Sequence, residues 1–301
     1  MSENQTVARA LSVLDLLATS PQPLGVREIA RQMNVAPSIA QRLIRTLSNA
    51  GYLEKTGEAS RYTIGYRAFQ IGNAFISQNS MHSAVMPELY ALADQHINGF
   101  LGVLRGHSVV YLAAVQSAGL IALTHRSGSQ TYLHSTALGK AILAAMPDER
   151  VKQLLSEVPL PRLTTRTKVN VSQLIAELPN IRRQGFATSD EENRYGVYFA
   201  GSVVLNSSNE PVGAISGGAP SADLSARERS RINQLVVAAA RNASRRMGAP
   251  VHEGIGLYDT NSDVTGSLRQ GPVRTSERPR QSPKTKARTK TAPRPRLMPG
   301  L

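Results

Sequence analysis

The sequence predicts an α+β protein with a winged helix-turn-helix at its N-terminus, and three observations carry that reading. Two short amphipathic segments between Leu24 and Leu47, PLGVREIARQMNVAPSIAQRLIRTL with its leading Pro23, are followed directly by an alternating hairpin pattern. From residue 100 onward, strand-like runs mix with helical ones without long parallel βαβ units, which points to a largely antiparallel sheet. Beyond residue 248 the hydrophobic periodicity stops.

Val7 to Thr19 reads as a helix with Ala10, Leu11, Leu14, Leu17 and Ala18 inward, ended by Ser20-Pro21-Gln22-Pro23. Val26, Ile29, Ala30 and Met33 give the next helix one apolar side. Asn34-Val35-Ala36 supplies a turn, and Pro37 suits the first position of a new helix, where its missing N–H costs nothing. On that helix Ile39, Leu43, Ile44 and Leu47 fall on one side and Ser38, Gln41, Arg42, Arg45 and Asn49 on the other. Arg can grip guanine or phosphate, Gln can pair with adenine, and Ser can reach a phosphate, so the polar side matches the major groove of double-stranded DNA. Gly51 closes the helix. Tyr52–Lys55 and Arg61–Gly65 then form the hairpin, with Arg61 at the wing, where it can meet a phosphate or simply solubilise an edge strand.

Tyr66–Gln78 is read as a helix bridging two domains, and Ser83–Asp94 as a second helix. Strands are expected at residues 100–105, 108–115 and 121–125. Residues 132–144 are a loop entering an Ala-rich helix. Short helices follow at Asp148–Ser156 and Val171–Gln184, with Leu163–Thr167 read as an exposed polar stretch between them. Phe186–Thr188 is a strand leading into an exposed acidic turn, Asp190-Glu191-Glu192. Val197–Leu205 and Val212–Ser216 pair as core strands, and Ser225 with Glu228 forms an S-x-x-E capping box ahead of the last helix. The expected division is 1–65, 66–80, 81–248 and a tail at 249–301.

The chain has 301 residues and a formal net charge of +14. From Leu268 to Leu301 there are ten Lys and Arg against one acid, Glu277, so the tail holds most of that charge. Its Pro, Ser, Thr, Lys and Arg composition predicts a disordered segment, either solvated and without a role or adding salt-dependent affinity for DNA. The chain has no Cys, which excludes disulfides and Cys-based zinc sites and fits a cytoplasmic protein. No apolar run reaches the roughly 18 residues of a membrane span, so no membrane partner is expected.

Sharper chemistries are weak. Gly139-Lys140 lacks the Gly five residues earlier and the hydroxyl residue after Lys that a phosphate loop needs. Ala214-Ile215-Ser216-Gly217-Gly218 lacks the first Gly of a nucleophile elbow. The three adjacent acids have no His at ligand spacing, so neither a metal nor a cofactor is expected.

Three stretches together resemble the IclR-type bacterial transcriptional regulators. They are the winged helix through Arg61-Tyr62-Thr63-Ile64-Gly65; the run Leu133-His134-Ser135-Thr136-Ala137-Leu138-Gly139-Lys140-Ala141, close to an L-H-x-T-A-x-G-K-A signature; and Gly185-Phe186 through Asp190-Glu191-Glu192 to Gly196. The resemblance covers about residues 6–247. It implies a C-terminal effector-binding domain of GAF-like fold, homodimers or homotetramers on operator DNA, and control of catabolic genes by a small, often carboxylated, metabolite. Carried over by position, it places effector contacts at Ala137, Leu138, Ser189 or Asp190, Phe199, Ser216 and Gly218.

Two departures stand out. Ile39 replaces a usual Thr, and residues 197–203 lack the Cys and Pro often found there, with Phe199 predicting a smaller or more apolar pocket. The start of the 137–144 helix would offer unpaired N–H groups to a carboxylate. Ser216 could donate a hydroxyl from the facing strand. Lys140 could act as a counter-ion but is expected to point away, as Lys is mostly exposed, and His134 is expected to be a structural hydrogen bonder. The alternative is a metabolite-binding protein or hydrolase whose winged helix serves only dimer contacts.

Overall fold

The computed structural model describes residues 4–57, 60–118, 126–222 and 224–250. The expected strand at 121–125 and the tail from 251 onward lie outside the described residues.

Three helices and a small sheet form the N-terminal part: α1 (Gln5–Thr19), β1 (Leu24–Gly25), α2 (Val26–Gln32), α3 (Pro37–Asn49), β2 (Leu53–Thr56) and β3 (Arg61–Ile64). Strand β3 pairs antiparallel with β2 and also with β1, a short strand the sequence pattern did not announce. Asn34 sits in the left-handed region at φ 52°, which lets the chain reverse between α2 and α3. Val13, Leu17, Ile29, Ala40, Leu43, Ile44 and Leu47 fill one core. Burying side chains of this size contributes about 1.5–3 kcal/mol each. The expected inward set of α1 needs correction: Leu11 and Ala18 are exposed, and Val13 takes the buried place.

The helix α4 (Tyr66–Gln78) has the predicted bounds, and none of its residues is buried. After it come α5 (Ser80–Asp94), β4 (Asn98–Arg105), β5 (Ser108–Val115), β6 (Gln130–Thr131), α6 (Ala137–Ala144), α7 (Asp148–Ser156), α8 (Val171–Gln184), β7 (Ala187–Asp190), β8 (Val197–Leu205), β9 (Pro211–Pro220) and α9 (Ala226–Arg246). Six strands make one antiparallel sheet in the order β6-β5-β4-β9-β8-β7. Its side chains alternate between two cores, as a period of two requires. Leu101, Val103, Ile215 and Ala219 turn toward α5 and α9. Phe100, Ala214 and Val197 turn toward α6, α7 and α8.

Helix α6 is seated by two close backbone approaches. An added Cβ at Gly139 would lie 2.3 Å from the Leu133 carbonyl oxygen, and one at Gly201 on β8 would lie 2.5 Å from the Ala137 carbonyl oxygen. The other end is held by Arg182, whose guanidinium donates to the carbonyls of Ala144 (2.8 Å) and Met146 (2.8 Å) and pairs with Asp148 (2.6 Å). Because backbone atoms cannot move aside as a side chain tip can, Gly139→Ala should destabilise the fold by about 3 kcal/mol or more. Urea denaturation checks this, and a loss under about 1 kcal/mol would contradict such tight seating.

Candidate DNA interface and effector pocket

On α3 the apolar side is inward and the polar side is open. Leu43, Ile44 and Leu47 are buried, while Ser38, Gln41, Arg42, Arg45 and Asn49 are exposed. Neither the Arg42 nor the Arg45 guanidinium meets an acceptor among the described residues. Arg61 stands on β3, which is the middle strand of the three and not the edge strand of the alternative reading. Its guanidinium donates to the Pro23 carbonyl (2.8 Å) and pairs with Glu28 (3.0 Å), whose carboxylate also accepts the Gly25 N–H (2.8 Å). That N–H, with Arg61, holds the Glu28 carboxyl below its ordinary range. Arg61 thus ties β3 to the start of α2, and its charge is matched within the protein.

A cleft lies where α6 meets the sheet. It is lined by Phe100, Tyr111, Thr136, Ala137, Leu138, Ser189, Asn193, Arg194, Val197, Phe199 and Ser216. It encloses about 410 Å³ with the open mouth included, and its own side chains nearly close the interior. The ring of Phe199 stands edge-on to Phe100 at 5.8 Å, and Phe100 lies 5.6 Å from Tyr111. Burial pushes the Tyr111 phenol up to about 12, so it stays protonated at neutral pH.

The polar groups of the cleft divide into spent and free. The Thr136 hydroxyl donates to the Tyr132 carbonyl (2.7 Å) and caps α6 by accepting the Gly139 N–H (3.0 Å). Ser189 donates to the Ser135 carbonyl (2.7 Å), and Ser135 donates to Asn193 (2.9 Å). The Ala137 and Leu138 N–H groups at the start of α6 find no acceptor among the described residues. The buried Ser216 hydroxyl likewise has none, no His or carboxylate included. Two unpaired amides carrying the partial positive charge of a helix start, beside a free hydroxyl, make a seat for a carboxylate.

Two sequence profiles match the chain. One, described as the IclR helix-turn-helix domain, covers residues 6–57, and the other, described as "Bacterial transcriptional regulator IclR C-terminal", covers residues 76–245. The chain belongs to the IclR family. It is a ligand-responsive transcriptional regulator with an N-terminal helix-turn-helix domain and a C-terminal effector domain. The HTH-type transcriptional regulator BhcR of Paracoccus denitrificans is 30% identical over 78% of this chain and 85% of its own. The transcriptional repressor IclR of Escherichia coli is 26% identical over 81% and 90%. The crystal structure of the Thermotoga maritima IclR superposes with a TM-score of 0.68 at 26% identity, over 82% of this chain and all of that one. An IclR homologue from Microbacterium hydrocarbonoxydans, complexed with 4-hydroxybenzoate, superposes at 0.71 over 81% and 99%; at 18% identity it shows the shared fold.

Within this IclR-family chain, Ala137, Leu138, Ser189, Phe199 and Ser216 come together at the cleft. Asp190 and Gly218 do not line it. Asp190 pairs with Arg166 (3.0 Å) and Arg229 (2.9 Å). Gly218 lies under Phe199, where an added Cβ would stand 2.3 Å from the ring. The sequence reading missed Phe100, Tyr111, Thr136, Asn193, Arg194 and Val197. Thr136 was legible as the residue before the helix, and Phe100 and Tyr111 follow only from the sheet order.

Lys140 is the largest correction. It is 2% exposed and pairs with Glu192 (2.7 Å) and Glu177 (3.5 Å), and Lys168 stands against both acids. The acidic turn is therefore held, not solvated. Burial pushes the Glu192 carboxyl up, and Lys140 and Lys168 oppose that push. Thr164 and Thr167, expected to be exposed, are buried and donate to the Glu191 (2.7 Å) and Glu192 (2.7 Å) carbonyls respectively. His134 donates from Nε2 to the Pro161 carbonyl (3.1 Å), and burial lowers its pKa, so it is a neutral structural bonder. Lys140→Met leaves Glu192 buried beside a more distant cation and should cost about 3–5 kcal/mol. The double change Lys140→Met with Glu192→Leu should recover much of that in urea melts. A single variant as stable as the parent would refute the buried pairing.

Proposed function

We propose that this protein docks α3 into the major groove of operator DNA as a homodimer, or as a pair of dimers, and lets go or holds on according to a small organic acid in the cleft. The observation that carries this is the face of α3: two unmatched guanidinium groups flanked by Ser38 and Gln41, backed by a buried apolar side. Residues 1–65 would read DNA, 66–80 connect, and 81–248 sense. Catabolic genes are the targets we infer, in the cytoplasm and without turnover of the bound acid. Supporting this, several related chains carry names such as acetate operon repressor and KdgR. Ser216 has no base beside it to make it a nucleophile.

A second copy is the natural cover for α4. Tyr66, Phe69, Ile71 and Phe75 are all exposed on it, and Val7 and Leu11 are exposed on α1. Large apolar side chains exposed together on one short helix point to an interaction site. Two copies related by a twofold axis would set their α3 helices about 34 Å apart, one turn of DNA. A ligand that prefers one arrangement of the pair would then govern binding.

Gel shifts on the intergenic DNA upstream of the chain's own gene test the reading. Arg42→Ala and Arg45→Ala should each weaken binding tenfold or more and lower the salt dependence by about one counterion each. Unchanged shifts in both variants would sink the recognition-helix assignment. For the dimer, Phe69→Glu with Phe75→Glu should yield a slower-associating or monomeric species in sedimentation velocity at unchanged far-ultraviolet dichroism. An unaltered oligomer would place the interface elsewhere.

A further inference from the structure

The turn between β7 and β8 is unusually well fastened except at one side chain. Glu192 is gripped by Lys140, and its carbonyl by the Thr167 hydroxyl. Asn193 accepts from Ser135, one residue before the cap of α6. The Tyr195 hydroxyl accepts the Thr165 N–H at 2.9 Å. Arg194 lies between these pinned neighbours, lines the cleft and is exposed, and its guanidinium meets no partner among the described residues.

The charges around it are otherwise matched. Arg166 and Arg229 take Asp190, Arg166 also approaches Glu191 at 3.8 Å, and Lys140 and Lys168 take Glu177 and Glu192. Each acid of the turn is thus committed to another cation, so none of them is left for Arg194. An anion from outside the chain is what remains to neutralise it. The Ser135–Asn193 bond brings its turn beside the start of α6, where the Ala137 and Leu138 amides are unpaired.

We propose that Arg194 is the specificity-determining residue of the effector cleft: its guanidinium closes over the carboxylate of a small apolar acid seated on the first turn of α6. This rests on the sensor reading above and names the residue that enforces the acid. The backbone at Arg194 is fixed in advance, so little is lost in ordering it, while the long side chain is free to swing over the mouth. A planar guanidinium can donate two parallel hydrogen bonds to a carboxylate, which a neutral amide or alcohol does not match. The aromatic ring of Phe199 would yield to the apolar body of the ligand, because the cleft has almost no free interior as it stands.

Isothermal titration and thermal shift with benzoate, 4-hydroxybenzoate and butyrate, each beside its neutral amide, test the proposal on the full chain. The parent should bind at least one acid and discriminate against its amide tenfold or more. Arg194→Gln should lose at least tenfold in affinity for that acid and leave the weak amide binding unchanged, and Arg194→Lys should fall between. Acid binding of equal strength in parent and Arg194→Gln overturns the role of Arg194 while the acid-sensing reading stands. A parent that binds amides as well as acids, or no acid at millimolar concentration, overturns both. Gel shifts of Arg194→Gln on the same DNA should match the parent without ligand, which separates a lost specificity contact from a damaged fold.

Discussion

The contact on which the sensor depends is the approach of the first turn of α6 to bare backbone. Gly139 lets the helix rest on Leu133, and Gly201 lets β8 pass beneath Ala137. A helix that close to a sheet leaves little space at its first amides, and the Thr136 hydroxyl satisfies the Gly139 N–H alone. The Ala137 and Leu138 amides are therefore left unpaired inside the protein, which costs stability unless something fills them. An anion seated there would recover that cost, and the fold would be correspondingly stabilised.

A polar network occupies the acids of the turn that the Ser135–Asn193 bond joins to that helix start. Asp190, Glu191 and Glu192 would otherwise be bare carboxylates. Each is instead drawn off by a cation or a hydroxyl: Asp190 by Arg166 and Arg229, Glu191 by Ser221 and Arg166, Glu192 by Lys140. Buried ion pairs of this kind add little net stability, because desolvation opposes attraction. Their value lies in geometry, since a paired carboxylate stays where its partner holds it. Lys140 has its place in this scheme as the residue that fixes the turn bearing Asn193 and Arg194.

How much of this could be read from the chain alone depended on whether a residue's setting is local. The face of α3 was legible because helical period and the Pro37 start are local properties, and the outward Arg42 and Arg45 follow from them. The bounds of α4, α7 and α8, with Gly185 ending the last in the left-handed region, were legible for the same reason. Lys140 was not, because the acids that bury it lie 37 and 52 residues away on α8 and the β7–β8 turn. Nor were Thr164 and Thr167, whose polar sequence concealed a role in fastening that turn, or Arg61, whose partner Glu28 lies 33 residues earlier. Of the carried-over cleft residues, Asp190 and Gly218 lie off the lining for different reasons. Asp190 follows Ser189 in β7, where adjacent positions face opposite sides, whereas Gly218 shares the face of Ser216 two residues earlier and is covered by the Phe199 ring.

The two functional surfaces share one principle. At α3 and at Arg194 alike, the backbone is held rigidly by buried apolar packing or by hydrogen bonds, and a guanidinium is left without an internal partner. Arg61 is the contrasting case, a guanidinium of the same domain whose charge is matched within the chain. In a protein where so many acids are paired, an arginine without a partner is informative, since its charge must be balanced by solvent counterions or by a ligand. With α3 as the proposed DNA face, counterion release would make its binding sensitive to salt. The second, set against unpaired amides and an aromatic wall, is suited to a single small anion. Helix α4, on which Tyr66, Phe69, Ile71 and Phe75 are exposed, lies between them in the chain. Were two copies to pack there as proposed, a change in that packing would be a physical route by which occupancy of the cleft alters the spacing of the two α3 helices.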